Sequence, residues 1–268
     1  MVKIPSSWKD CSTAQIIEGL ELQMLLQSYG SYPEVVLELL GDLVCLLTQL
    51  DRNSYELLSN DEKFELIEQL RWATVDKVTE LPFTSFHHRG RRYFLPKPHY
   101  ADTSSIELAM ANMHYLAFVN GTKAASPRLF DLLATICRPR KWNWRLRRLL
   151  PGYDGEDRQI YNSLRAEQRA VNFQNLRLGV CIAILQYWEA QNNEFYEIHK
   201  ALYDGAGGRS LFQNGEGWLA TLEDVASAGV HGNFDKVCDT NAHTIWMYLK
   251  HRKIQIAEQQ SLAEEEKK

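Results

Sequence analysis

The sequence predicts a mostly α protein, a multi-helix bundle with one short β-hairpin near residues 83–95. Three observations carry this. Apolar residues recur at helical spacing through most of the chain. Capping residues stand before those runs, and Gly or Pro stands behind several of them. One stretch departs from the pattern: FTSFHHRGRRYFLP sets two aromatic-rich runs around an Arg-Gly centre, which reads as a hairpin.

In chain order, Ser12 opens the first helix with Gln15 three residues on, the spacing of a capping box. Ile16, Ile17, Leu20, Met24 and Leu25 continue it, and Tyr29-Gly30 ends it. Pro33 starts a second helix whose Val and Leu residues cover more than one face, so it is buried among others. Residues 51–53 break it, a short turn follows near Tyr55, and Asn60 or Asp61 caps a third helix reaching Val75. Two isolated strands are marginal in water, so the hairpin must lean on a helix or pair with another chain. Thr103 or Ser104 caps SIELAMANMHYLAFV, and Ser126-Pro127 starts RLFDLLATIC. EDRQIYNSLRAEQRAVNF reads as a polar helix and LRLGVCIAILQYWEAQNNEFYEIHKAL as an apolar one. WLATLEDVASAG is a short helix. The helix from Asn241 onward loses most of its apolar residues after Ile256. The expected organisation is an N-terminal helical subdomain at 1–80, a hairpin and linker at 81–100, and a C-terminal helical domain at 101–268 with a basic loop at 138–153.

Composition narrows the function. The chain has 268 residues, 45% hydrophobic and 24% charged, with a net charge of −4. Those fractions are ordinary for a globular protein, so any polyanion-binding role must be local. No run of eighteen apolar residues predicts a membrane span, and the N-terminus has no secretory h-region. The five Cys are scattered, two of them in apolar runs, which implies reduced thiols and a cytoplasmic protein.

Two stretches, IPSSWKDCSTAQIIEGLELQ and LVCLLTQLDRNSYELLSNDEKFELIEQLRW, carry a family resemblance. With Pro5 and Trp8 before a helix, and Leu58 to Glu62 opening a later one, they resemble small helical tail-assembly proteins of bacteriophages and prophages. TSSIELAMANMHYLAFV, LFDLLATICRP and GWLATLEDVASAGVHGNFDKV are similar to segments of phage and prophage proteins. The resemblance implies a non-enzymatic tail-assembly chaperone or adaptor, working in the cytoplasm of a bacterial host cell. It would hold a helical tail protein, such as the tape measure, soluble until the tube forms.

The densest chemistry lies in CRPRKWNWRLRRLL. Arg138, Arg140, Lys141, Arg145, Arg147 and Arg148 could contact phosphates, with Trp142 and Trp144 stacking on bases. The same residues could anchor a protein partner, since Trp and Arg are enriched at hot spots. In the plainest reading the Trp pair packs inward and the Arg form a solvated rim with Glu156 and Asp157. The partner-binding residues are these eight. The exposed side of the Ile182–Trp188 stretch is a further groove candidate for a helical guest.

Other chemistry finds little support. The eight His include no His-x-x-x-His and the Cys no Cys-x-x-Cys, so neither a metal nor a cofactor is expected. There is no Gly-x-Ser-x-Gly elbow. Gly205 to Ser210 superficially resembles a phosphate loop, but it follows a helix and lacks the Lys, so it reads as a connector. Glu18/Glu21, Glu62/Glu65 and Glu194/Glu197 sit at helical spacing without the Glu-x-x-His of di-metal bundles, and read as solvated faces. Trp188, Trp218, Trp246 and Tyr248 read as core.

Overall fold

A computed structural model describes residues 4–121, 125–151, 153, 157–202 and 216–265. Among them stand thirteen α-helices and one small three-stranded antiparallel sheet, so the fold is mostly α. No helix among them is long and apolar enough to cross a membrane. The chain groups into two compact units, Met1–Thr84 with Leu176–Ala190, and Ser85–Asn175 with Gln191–Lys268.

The first unit begins with a turn that carries Trp8. Helix α1 (Thr13–Ser28) starts at the expected capping box between Ser12 and Gln15. Helix α2 (Pro33–Thr48) has Pro33 in its first turn and ends at Gln49 in the left-handed region. Gln15 Nε2 donates to the carbonyls of Leu46 and Leu47, both at 3.1 Å, closing the last turn of α2. Helix α3 (Arg52–Glu56) is capped by Asp51. Helix α4 (Asn60–Gln69) is capped by Ser59, one residue earlier than expected, in a capping box with Glu62. The expected run to Val75 is broken, and α5 (Trp72–Val75) is a separate turn. The break sets Trp72 edge-on to Trp8 at 5.0 Å. Trp72 Nε1 donates to Pro5 O and Trp8 Nε1 to Asp76 O, so the Pro-x-x-Trp opening is tied down at both ends.

Helix α10 (Leu178–His199) contributes its first half to this unit. Gly179 lies so close to α1 that a Cβ there would sit 2.0 Å from Ile17 O. Glu21 accepts from the Gly179 N–H at 3.0 Å and from Arg177 Nε and Nη2 at 2.9 and 2.8 Å. Burial raises the Glu21 pKa, and the Arg177 and Gly179 hydrogen bonds outweigh it, leaving the carboxyl below its ordinary value. Ile184, Tyr187 and Trp188 are buried. The Ile182–Trp188 stretch is therefore mainly core, which leaves little exposed side for the groove it was a candidate to form.

In the second unit β1 (Ser85–His88) and β2 (Arg91–Phe94) form the expected hairpin. Arg89 and Gly90 between them have φ of 47° and 73°, as a two-residue primed turn requires. The hairpin does lean on a helix: Phe86 and Tyr93 pack on Phe173 of α9 (Ser163–Phe173). It also gains β3 (Arg138–Pro139), with Tyr93 opposite Pro139. Helix α9 occupies only the later part of the stretch read as helical. Helix α6 (Ser105–Val119), capped by Ser104, packs on α7 (Ala125–Ile136), which packs on α9. A single turn, α8 (Trp144–Arg147), follows β3. Helices α11 (Gly217–Ser227), α12 (Phe234–Asp239) and α13 (Ala242–Glu265) also pack on α6. The unexpected α12 is capped by Asn233 and is too short to show a helical period. Trp246 is fully buried, as expected of a core ring. Gly205 to Ser210 lie outside the described residues.

Candidate functional site

Helix α7 delivers the chain to Cys137, and Arg138 then turns inward. Its Nη2 lies 2.5 Å from Glu107 Oε2, and its Nη1 donates to Gln159 O. Glu107 comes from α6 and is 0% exposed. Arg158 completes the group, with Nε 2.6 Å from Asp102 Oδ2 and Nη1 3.3 Å from Glu107 Oε1. Two cations meet two carboxylates, so the charges of these four groups cancel. Spare donors go to carbonyls at the end of α7, which a helix leaves open. Arg158 Nη1 reaches Ile136 O at 2.8 Å, while Arg169 Nε and Nη2 reach Ala134 O at 3.1 and 2.9 Å. Burial pulls the Arg138 pKa down to about 10 against the opposing pull of Glu107, so it stays protonated at neutral pH. Arg138 thus lies inside the unit, not on its surface, because its charge is satisfied there.

From this anchorage the chain runs outward on a short ladder. Lys141 N donates to Asp157 O at 2.8 Å and Gln159 N to Pro139 O at 2.9 Å, with Arg140 bridged to Arg158. The Arg140 guanidinium lies 4.3 Å from the Phe94 ring centroid and 4.2 Å from that of Trp144. Arg145 and Arg148 approach the same Trp144 ring at 5.3 and 4.9 Å. Arg148 and Tyr153 both hold Asp157. Burial raises the Asp157 pKa, but those two hydrogen bonds outweigh it and keep the carboxyl below its usual value.

The two Trp residues therefore part company. Trp144 is half-buried beneath guanidinium groups, whereas Trp142 is 89% exposed. Leu146, Leu149 and Leu150 are exposed at 65%, 81% and 60%. Trp142, Leu146, Leu149 and Leu150 are spaced i, i+4, i+7, i+8 in the sequence, around the single helical turn 144–147. Beyond α8 the N–H groups of Leu149 and Leu150 donate to Leu146 O and Arg147 O in tighter turns. Arg145 and Arg148 are exposed beside this row, and Lys141 and Arg147 are half-buried. The plainest reading from sequence paired the arginines with Glu156 and Asp157. Asp157 does take Arg148, and Glu156 lies outside the described residues.

The fold also gathers three histidines that are far apart in sequence. His243 Nε2 lies 2.7 Å from His99 O, and His243 Nδ1 lies 3.2 Å from His199 Nε2. A carbonyl can only accept, so His243 carries its proton on Nε2. In its neutral form His243 then accepts at Nδ1, His199 donates from Nε2, and the buried Nδ1 of His199 is left without a partner. Burial, then the neighbouring His243 and Lys250, lower the His199 pKa to about 4. His99 Nδ1 turns instead to Glu194 at 2.7 Å. Among the described residues no group of three or more His, Cys, Asp or Glu is arranged to hold a metal ion. Glu18 and Glu21 bind Arg177, Glu62 closes its capping box, and Glu197 pairs with Lys200.

Asp102, Glu107 and Arg158 escaped the reading of motifs, as did the leucine row. The signal for Glu107 was present: it is an acid inside the apolar run SIELAMAN, where a charge needs a buried partner. No family model, no curated protein and no solved structure matches this chain.

Proposed function

We propose that this protein is a non-enzymatic assembly adaptor that docks a helical protein partner on the row Trp142, Leu146, Leu149 and Leu150. One observation carries the reading: four large apolar side chains stand exposed at helical spacing, beside Arg145 and Arg148, on an anchored stem. A contiguous apolar patch rimmed by polar groups marks an interaction surface more often than it occurs idly. Burying these side chains yields about 1.5–3 kcal/mol each before the cost of association. The flanking arginines favour a guest helix with acidic residues beside its apolar stripe. The resemblance to tail-assembly proteins makes that guest a phage or prophage tail protein such as the tape measure.

Trp144 lends less support to a single-strand nucleic-acid site, because three guanidinium groups already approach its ring. The deciding experiment co-expresses the chain with the tape-measure protein of the same phage or prophage. Co-purification by the parent chain, lost in the Trp142→Ala/Leu149→Ala double variant, is the expected result. Undiminished capture by the double variant would refute the docking row.

A further inference from the structure

The end of α10 meets α13 in the second unit through two imidazoles. His199 is 0% exposed, and its Nε2 lies 3.2 Å from His243 Nδ1. The Phe195 ring packs on both, with centroids at 4.5 and 4.8 Å. Further along α13, Lys250 Nζ donates to Ile198 O at 3.3 Å and Lys253 Nζ to Leu202 O at 3.0 Å. The start of α13 is held independently, by the Ala242 N–H on Thr103 O at 3.0 Å.

Hydrogen placement decides what this junction tolerates. His243 keeps a hydrogen on Nε2 for His99 O, so the neutral pair has one arrangement, with His199 donating from Nε2. A proton added to His199 sits on Nδ1, which is buried and meets no acceptor among the described residues. A proton added to His243 sits on its Nδ1 and makes His199 accept at Nε2, so His199 again carries its hydrogen on the buried Nδ1. Either way, one proton creates a cation together with a buried donor that lacks an acceptor. A second would set two N–H groups against each other. The charged groups on the packed elements are Lys250 and Lys253 of α13, Glu194 and Glu197 of α10, Lys200 just beyond it, and His99 on the Pro98–Tyr100 turn. Glu194 is taken by His99 Nδ1 at 2.7 Å and Glu197 by Lys200 at 3.2 Å, while Lys250 opposes a further positive charge.

We propose that the His199–His243 pair is an acid-released latch: the neutral pair holds the end of α10 on α13, and uptake of one proton frees the end of α10 while α13 stays anchored at Thr103. His199 takes up its proton at about 4 in the folded chain and near the ordinary 6.5 when unfolded. The contribution of the latch is therefore complete above about pH 6.5 and is lost as the pH falls toward 4. The docking row plays no part in this inference, so either can fail without the other.

The test follows the full chain by imidazole nitrogen-15 spectra and amide hydrogen exchange from about pH 7.5 down to 4. At neutral pH, His199 is expected with its hydrogen on Nε2 and a bare Nδ1. As the pH falls, and with intrinsic exchange rates corrected for pH, protection of amides 196–202 is expected to drop about tenfold or more before that of α6 changes. His199→Gln still offers an N–H to His243 Nδ1 but cannot titrate, and is expected to keep that protection. If the variant does not fold, the parent decides alone. A His199 that titrates near its ordinary value with protection unchanged overturns the proposal. So does an equal loss in the parent and in His199→Gln, and so does a loss that strikes α6 at the same pH, which is general acid unfolding.

Discussion

The two units carry charge of opposite sign and place it differently. The first has seven Lys and Arg against fifteen Asp and Glu, a net of −8, while the second has twenty-three against nineteen, a net of +4. In the first, the pairs formed by Arg52, Lys77 and Arg177 lie at the solvent boundary. In the second, Arg138, Arg158, Asp102 and Glu107 are buried together. Net charge thus says nothing of where charge sits. A cluster of arginines in sequence can be partly a surface and partly a foundation. Arg138 and Arg145, seven residues apart, are one of each.

The contrast can be broken most sharply at Glu107. Glu107→Ala leaves Arg138 and Arg158 short of a counter-charge, and we expect a loss of about 3–5 kcal/mol in urea unfolding. A loss below about 1 kcal/mol, the range of a surface pair, would show that the network behaves as if solvated. Next comes backbone packing in the first unit. Gly179→Ala pushes a methyl group into Ile17 O, and α10 must shift, at a cost of about 1–3 kcal/mol. An unchanged melting temperature would mean that the close approach is not maintained in solution. The smallest effect sharpens the comparison from the other side. Arg177→Ala removes a partly exposed pair while Glu21 still caps Gly179, and about 1 kcal/mol or less is expected from the same urea measurement.

Most helices were legible because their caps and periods agree. Ser12 with Gln15, Pro33, and Ser104 each stand where the structure starts a helix. The hairpin was legible from its Arg-Gly centre. What escaped were long-range arrangements. Strand β3 has two residues and exists only because β2 lies beside it. The break after Gln69 answers to Trp8, some sixty residues away, and not to any local signal. The eight basic and aromatic residues were visible as a group, and Asp157 as a partner for them, but the inward turn of Arg138 depends on Glu107, which arrives from another segment. Spacing within 138–150 cannot reveal which arginine will find a carboxylate in the interior.

The anchoring of Arg138 has a consequence for whatever meets the neighbouring leucines. A flexible recognition segment gives up conformational freedom when it is captured, and that loss subtracts from affinity. Here the ladder to Asp157, the guanidinium groups around Trp144 and the interior salt links tie down the stem beneath the row. The partner proposed above would meet a stem already tied down, so less of the contact free energy would go into ordering it.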